Sequence, residues 1–205
     1  MRLMRGLALA CLAPWLASLA AAGMPADGDW RFVATLDGRP IGEHRFTLST
    51  RGEERRVESR AEFDVKLLGF TAYRYRHESS ETWRGGCLVA LTASTDDDGK
   101  LSQVRAVSKD DKLVVTSPTG QQELSGCVMS YAYWNAELRK QSHLLNPQTG
   151  RYEPVQIQAD EAATANSLRL EGSNGPIDVR YSARGEWLGL DSIVAGGRKL
   201  TYRLK

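Results

Sequence analysis

The sequence predicts an all-β domain, a single long curved antiparallel meander, open or barrel-like, of about ten to twelve strands with one short helix packed on its concave side. Three observations predict it. Apolar and polar residues alternate with a period of two over most of the chain. Turn signals built on Gly, Asp and Asn recur at hairpin spacing. Only one segment abandons that rhythm for a helical one.

The chain opens differently. Arg2 and Arg5 precede an apolar run from Leu7 to Leu19, followed by Ala20-Ala21-Ala22. This is the pattern of a secretory leader over residues 1–22, too short in its apolar part to cross a bilayer as a helix. It predicts export to the periplasm with cleavage near Ala22, a mature chain with no transmembrane span, and a single β-rich domain over residues 23–205. Cys11 lies in the leader, but the segment Ala8-Leu9-Ala10 before it lacks the usual Leu of a lipidation signal.

The strands follow in order. Trp30, Phe32, Ala34 and Leu36 alternate with Arg31, Val33 and Thr35 as far as the turn signal Asp37-Gly38. The return strand sets Gly42, His44, Phe46 and Leu48 against Ile41, Glu43, Arg45 and Thr47. The most regular stretch, Arg55 to Leu67, puts Val57, Ser59, Ala61, Phe63, Val65 and Leu67 on one face. Arg56, Glu58, Arg60, Glu62, Asp64 and Lys66 occupy the other. Such a strand is packed on one side and wet on the other. Its mixed charges suit cross-strand pairing and discourage edge-to-edge association.

Reversals are marked by Arg51-Gly52, Leu68-Gly69, Asp97-Asp98-Gly99 and Thr119-Gly120, and later by Ser173-Asn174-Gly175 and Gly196-Gly197. The C-terminal part alternates again around Val155 and Ile157, Ile177 and Val179, and Leu200, Tyr202 and Leu204. Ser130 to Lys140 breaks the pattern. Tyr131, Trp134 and Leu138 fall at i, i+3 and i+7, with Arg139 and Lys140 where cations suit a helix C-terminus. The spacing predicts a helix of about three turns there.

Charge excludes some partners. The leader carries two Arg and no acid, so the rest of the chain holds 25 basic and 25 acidic residues. No basic surplus remains to draw the protein to nucleic acid. Two cysteines, Cys87 and Cys127, lie outside the leader, and in an exported chain an even count reads as one disulfide. Closing that loop is worth about 4 kcal/mol in the chain-entropy model.

Candidate functional residues are few. His44 shares a strand face with Phe46 and Leu48, and His77 follows Tyr73 and Tyr75 at alternate positions. They are either core histidines with satisfied hydrogen bonds or the polar spot of an apolar ligand site. The window Met129 to Asn135 concentrates apolar surface. It is either helix-to-sheet packing or, through Met129, Tyr131 and Trp134, the lining of a pocket.

No catalytic residue, metal ligand or cofactor is assigned, because no H-x-H, H-E-x-x-H, C-x-x-C or G-x-S-x-G spacing occurs. Cys127 with His143 and Asn135 or Asn146 fails as a thiol-protease set, since an exported thiol pairs rather than staying reduced. Asp96-Asp97-Asp98-Gly99 has consecutive acids and no Glu at loop position twelve, so it is a turn and not a calcium loop.

Several stretches carry a resemblance. They are Trp30-Arg31-Phe32 leading to Leu36-Asp37-Gly38-Arg39-Pro40-Ile41-Gly42, Glu81-Thr82-Trp83-Arg84-Gly85-Gly86-Cys87-Leu88, and Gly126-Cys127-Val128-Met129-Ser130-Tyr131-Ala132-Tyr133-Trp134-Asn135. To these are added Leu144-Leu145-Asn146-Pro147-Gln148-Thr149-Gly150 and Gly197 to Leu204. Together they resemble a bacterial family of exported proteins known only as a domain of unknown function. Both cysteines fall inside these motifs, which fits a disulfide. The family implies no activity or cofactor. More loosely, the opening is similar to periplasmic sheet proteins of the LolA lipoprotein-carrier type, which implies a curved sheet around a helical plug that shelters acyl chains.

The leading expectation is therefore a non-enzymatic periplasmic protein that binds a lipid or other apolar ligand. His44, Tyr73, Tyr75, His77, Met129, Tyr131 and Trp134 form the site in this reading. The alternative is an interaction module of the cell envelope with a solid core and a working charged face around Glu58 and Arg60. An enzyme using His77 with Glu81 comes third.

Overall fold

A computed structural model describes residues 27–159, 166–173 and 175–205. The expected leader and its cleavage site lie outside these residues. Eight strands run first as consecutive hairpins: β1 (Gly28–Leu36), β2 (Arg39–Arg51), β3 (Glu54–Leu67), β4 (Phe70–Arg84), β5 (Cys87–Asp97), β6 (Lys100–Lys109), β7 (Lys112–Ser117) and β8 (Gly120–Ser125). A strap then leaves the sheet, carrying a short hairpin of β9 (His143–Leu145) and β10 (Tyr152–Pro154). Five more strands follow: β11 (Gln156–Ala159), β12 (Ser167–Gly172), β13 (Gly175–Tyr181), β14 (Trp187–Val194) and β15 (Arg198–Leu204).

Thirteen of these form one antiparallel sheet in the order β11-β12-β13-β14-β15-β1-β2-β3-β4-β5-β6-β7-β8. Two meanders are thus joined by pairing of β1 with β15, in register from Phe32↔Leu204 to Leu36↔Leu200. The sheet does not close, since β8 and β11 are its two edges. It is nonetheless tightly curved. Phe63 on β3 and Tyr202 on β15 stand three strands apart, about 14 Å on a flat sheet, yet their ring centroids are 6.0 Å apart. Phe46 and Trp187, also three strands apart, approach to 4.9 Å.

Alternation decides which face is inside. Phe32, Ala34, Leu48, Val57, Ala61, Phe63, Leu91 and Val104 are buried on the inner face, while Arg56, Glu58, Arg60 and Glu62 stay exposed on the outer one. Ion pairs lace that outer face, among them Arg60 with Glu62 at 2.7 Å and with Glu78 at 3.0 Å. Being solvated, they contribute little to stability. Curvature is relieved at bulges. Gly42 has φ +150°, and a Cβ there would collide with the Glu62 carbonyl oxygen.

Two expectations are corrected. Among the described residues the main sheet has thirteen strands and a separate pair brings the total to fifteen, because short strands such as β10 and β11 carry too few residues to show a period. The three-turn helix over Ser130–Lys140 is absent. Only a single 3₁₀ segment, Ala136–Lys140, forms there, capped by the Asn135 side chain, which accepts from the Glu137 N–H.

The cause is tethering of the residues before it. Ser130 forms a parallel bridge with Leu145, and the following backbone bonds are short-range, from Ala132 N–H to Ser130 O and from Asn135 N–H to Ala132 O. Tyr131, Tyr133 and Trp134 each turn to a different partner. Tyr131 donates to Glu153, Tyr133 packs on Trp187, and Trp134 meets Trp83 edge-on at 5.4 Å.

The strap fills the inside of the sheet. Val128, Met129, Ala132, Trp134, Leu138, Leu144 and Leu145 are buried and join the sheet residues in one hydrophobic core. The Cys87–Cys127 disulfide pins its start to β5, with a Cα–Cα distance of 5.0 Å. Beside it, the Leu88 N–H donates to Val128 O. Its far part is held by the Gln122 side chain donating to Gly150 O and by Ser102 donating to Gln148 O.

Candidate functional site

The seven candidate residues fall into two groups. His44, Tyr73, Tyr75 and His77 gather at one end of the inner face, on β2 and β4. Met129, Tyr131 and Trp134 belong to the strap.

At the first location the pairing His44↔Ala61↔His77 sets the two histidines on one face with β3 between them. His44 Nε2 lies 2.7 Å from Ser59 Oγ and Nδ1 lies 3.2 Å from the Tyr202 hydroxyl. Around it stand Phe46 at 4.0 Å, Tyr202 at 5.5 Å and Phe63 at 6.4 Å between centroids. Tyr75 stacks on Phe63 at 5.5 Å, and His77 lies beyond it, its Nδ1 2.9 Å from Thr95 Oγ1. Tyr73 donates to Asp97 at 2.5 Å.

Phe63 and Tyr202 complete this aromatic cluster. The alternation of β3 places Phe63 on the inner face. Tyr202 reaches the cluster only through the pairing of β15 with β1, which joins residues far apart in sequence.

The imidazoles and phenols of this cluster are polar and uncharged, with the Asp97 carboxylate at their edge. Loss of surrounding water, reinforced by the neighbouring His77, pulls the His44 pKa well below its ordinary value. Burial lowers that of His77 to about 4. Burial raises the hydroxyls of Tyr75 and Tyr202 above the usual tyrosine range. At neutral pH the cluster therefore offers neutral imidazoles and phenols beside aromatic faces. His44, Tyr73 and Tyr75 remain half-buried, whereas Phe63 is buried.

The strap group is different. Met129 and Trp134 are buried in the core, and Tyr131 is half-buried against Glu153. Beside Trp83, the ring that Trp134 meets, sits Glu81, buried and accepting from the Trp83 indole at 2.9 Å and from Ser130. Burial drives its pKa up to about 7, with the two hydrogen bonds opposing in part. Sequence reasoning saw Glu81 only as a neighbour of His77. In the fold His77 bonds Thr95 and Glu81 bonds Trp83. Among the described residues no group of three or more His, Cys, Asp or Glu side chains is arranged to hold a metal.

The outer face carries a second feature. A groove of about 930 Å³ crosses β2 to β7, with Arg45, Glu58, Arg60, Glu78, Thr92 and Arg105 among its lining residues. Glu58 and Arg60, singled out from the alternation, both border it.

These features define a class: an open, barrel-like all-β domain filled by a disulfide-tethered strap. The chain belongs to the family DUF6134, a domain of unknown function, whose model matches residues 32–205. No curated protein matches the sequence significantly. Among solved structures the fold is similar to the beta-barrel-like protein of domain of unknown function DUF1849 from Brucella abortus. The TM-score is 0.61 at 13% identity, covering 88% of this chain and 96% of that one. No helix among the described residues is long and apolar enough to cross a membrane.

Proposed function

We propose that the protein is an exported, periplasmic, non-enzymatic domain that binds a lipid or other apolar ligand at the aromatic end of the sheet's inner face. One observation carries this reading. His44 and Tyr75 keep part of their surface open while packing on the buried Phe63, and the half-buried Tyr73 continues the same face. Half-open aromatic walls with a few convergent polar atoms are what apolar ligands select. Because the imidazoles and phenols are neutral, the cluster suits an acyl chain with an uncharged polar end, such as an ester or amide. An ionised carboxylate would instead meet the Asp97 side chain, which pairs across from Tyr75 and accepts from Tyr73. Met129 and Trp134 act in this reading as packing that shapes the floor.

The test combines native mass spectrometry of the purified protein, with and without lipid extraction, and titration with the apolar fluorophore N-phenyl-1-naphthylamine. Tyr75→Ala is expected to weaken probe binding about tenfold through lost aromatic contact. Its far-ultraviolet circular dichroism should match the wild type, which separates lost contact from lost fold. If no lipid co-purifies and the probe binds neither protein, the reading is wrong.

A second reading rests on the outer groove. Its mixed-charge walls suit a polar partner of the cell envelope, so that charge reversals at Glu58 and Arg60 would impair function while the fold survives.

A further inference from the structure

The hairpin of β3 and β4 outruns its neighbours. The last β3 residue paired with β2 is Phe63, and the last β4 residue paired with β5 is Tyr75. The next pair, Asp64↔Arg74, is still tied to the turn after β5, where the Asp98 N–H donates to Arg74 O, and beyond it Val65↔Tyr73, Lys66↔Thr71 and Leu67↔Phe70 pair with no other strand among the described residues. At strand rise this leaves a two-stranded finger projecting roughly 10 Å past the body. Its apex is apolar and bare: Leu68 is 91% exposed, Phe70 79% and Leu67 62%.

The turn chemistry sharpens the point. Three other two-residue turns of this sheet place Asp in the left-handed region at their first position, Asp37 at φ 50°, Asp98 at 52° and Asp110 at 48°. Those turns join β1 to β2, β5 to β6 and β6 to β7, where a short polar side chain tolerates that conformation. The finger uses Leu68 at φ 50° in the same role. A large apolar side chain is thus held in an unfavourable backbone conformation and aimed at solvent, the combination that marks functional positions. Beside it Lys66 is exposed and has no ion pair among the described residues. The acids nearest the finger's base are engaged. Asp64 is held by Arg74 and Arg76, and Asp97 by Tyr73.

We infer that the β3–β4 finger docks the protein onto a lipid bilayer surface, with Leu67, Leu68 and Phe70 entering the headgroup–acyl boundary and Lys66 meeting anionic headgroups. Apolar side chains flanked by an unpaired cation are the signature of interfacial binding. The projection lets the apex reach a flat surface without the body intervening. The inner face of the finger, Val65 and Tyr73, continues to Tyr75 and Phe63, so a docked finger would also lie along the route to the aromatic cluster. The docking itself goes beyond the ligand reading and stands without it.

Flotation of purified protein with vesicles of phosphatidylethanolamine and phosphatidylglycerol at roughly three to one tests the inference. The informative variant is Leu68→Asn, which removes the apolar apex and relieves the turn, so the fold is retained or strengthened. Wild type is expected to float with the vesicles, and Leu68→Asn to bind them at least about tenfold more weakly. Lys66→Glu should bind less well only to the vesicles that contain phosphatidylglycerol. Failure of wild type to bind, or equal binding by Leu68→Asn, overturns the docking role. Binding of N-phenyl-1-naphthylamine is expected to be unchanged in Leu68→Asn, so the two proposals fail separately.

Discussion

Replacing Glu81 by Gln should change how stability depends on pH, and the structure sets both sign and size. On folding, burial raises the Glu81 pKa from 4.5 to about 7. Below pH 4.5 the carboxyl is protonated in both states and has no effect. Between 4.5 and 7 the folded state holds a proton that the unfolded chain has released, so stability falls as pH rises. Above 7 the loss is complete, at about 3 kcal/mol.

His77 acts in the opposite sense. Its pKa is lowered from 6.5 to about 4, so between those values the unfolded chain binds more protons and stability rises with pH. In the wild type the two slopes oppose one another over their shared window, which hides both. The Glu81→Gln side chain keeps an oxygen for the Trp83 indole and gains an amide that Ser130 can accept from, but it cannot ionise. Urea melts from pH 4 to 8 should therefore show equal stability near pH 4 and a widening advantage for Glu81→Gln, reaching about 3 kcal/mol at pH 8. In thermal melts this is roughly 6–12 °C for a domain of this size. Parallel curves for the two proteins would show that Glu81 is not held neutral by its surroundings.

Other outcomes follow from the geometry. Serine at both Cys87 and Cys127 frees the strap from β5 and should cost about 2–5 kcal/mol, measured by denaturant melts against the wild type with and without reductant. Gly42→Ala drives a Cβ into the Glu62 carbonyl, and a loss of roughly 2–4 kcal/mol in the same melts is expected as the bulge shifts. Trp134→Ala empties a buried site against Trp83 and should cost about 3–5 kcal/mol. It should also alter the near-ultraviolet circular dichroism from the paired indoles, and an unchanged spectrum would contradict the edge-on contact.

The strands were legible where water touches one face. In β3 every second residue from Val57 to Phe63 is buried and every second one from Arg56 to Glu62 is exposed, so its period appears directly in the sequence. The strap was not legible, because each of its residues answers to a different partner. Tyr131, Trp134 and Leu138 matched a helical stripe by spacing, yet their side chains meet β10, β4 and the core separately, and no periodic signal records that. The turns at Asp110-Asp111 and Gly85-Gly86 carry the same usable chemistry as the reversals recognised in the sequence. Half of the candidate cluster, His44 with Tyr75 and His77, could be placed on inner faces by alternation. Its closure by Tyr202 depends on β1 meeting β15, a pairing over a long sequence separation that no local pattern encodes. Leu68-Gly69 read only as a reversal. Its unusual occupant gains meaning once the length of the hairpin beyond its neighbours is known.

The seam between β1 and β15 has a consequence for biogenesis. β1 cannot be completed on its second side until β15 is made, so translation and any passage across a membrane must deliver everything between them before the sheet can be zipped. A polypeptide cut before residue 198 would leave bare backbone on both β1 and β14, in the middle of the sheet where nothing covers it. Products stalled before β15 should therefore be sticky and quickly degraded, whereas a permuted domain in which a short loop leads from β15 directly into β1 would bring those two strands together early and fold faster.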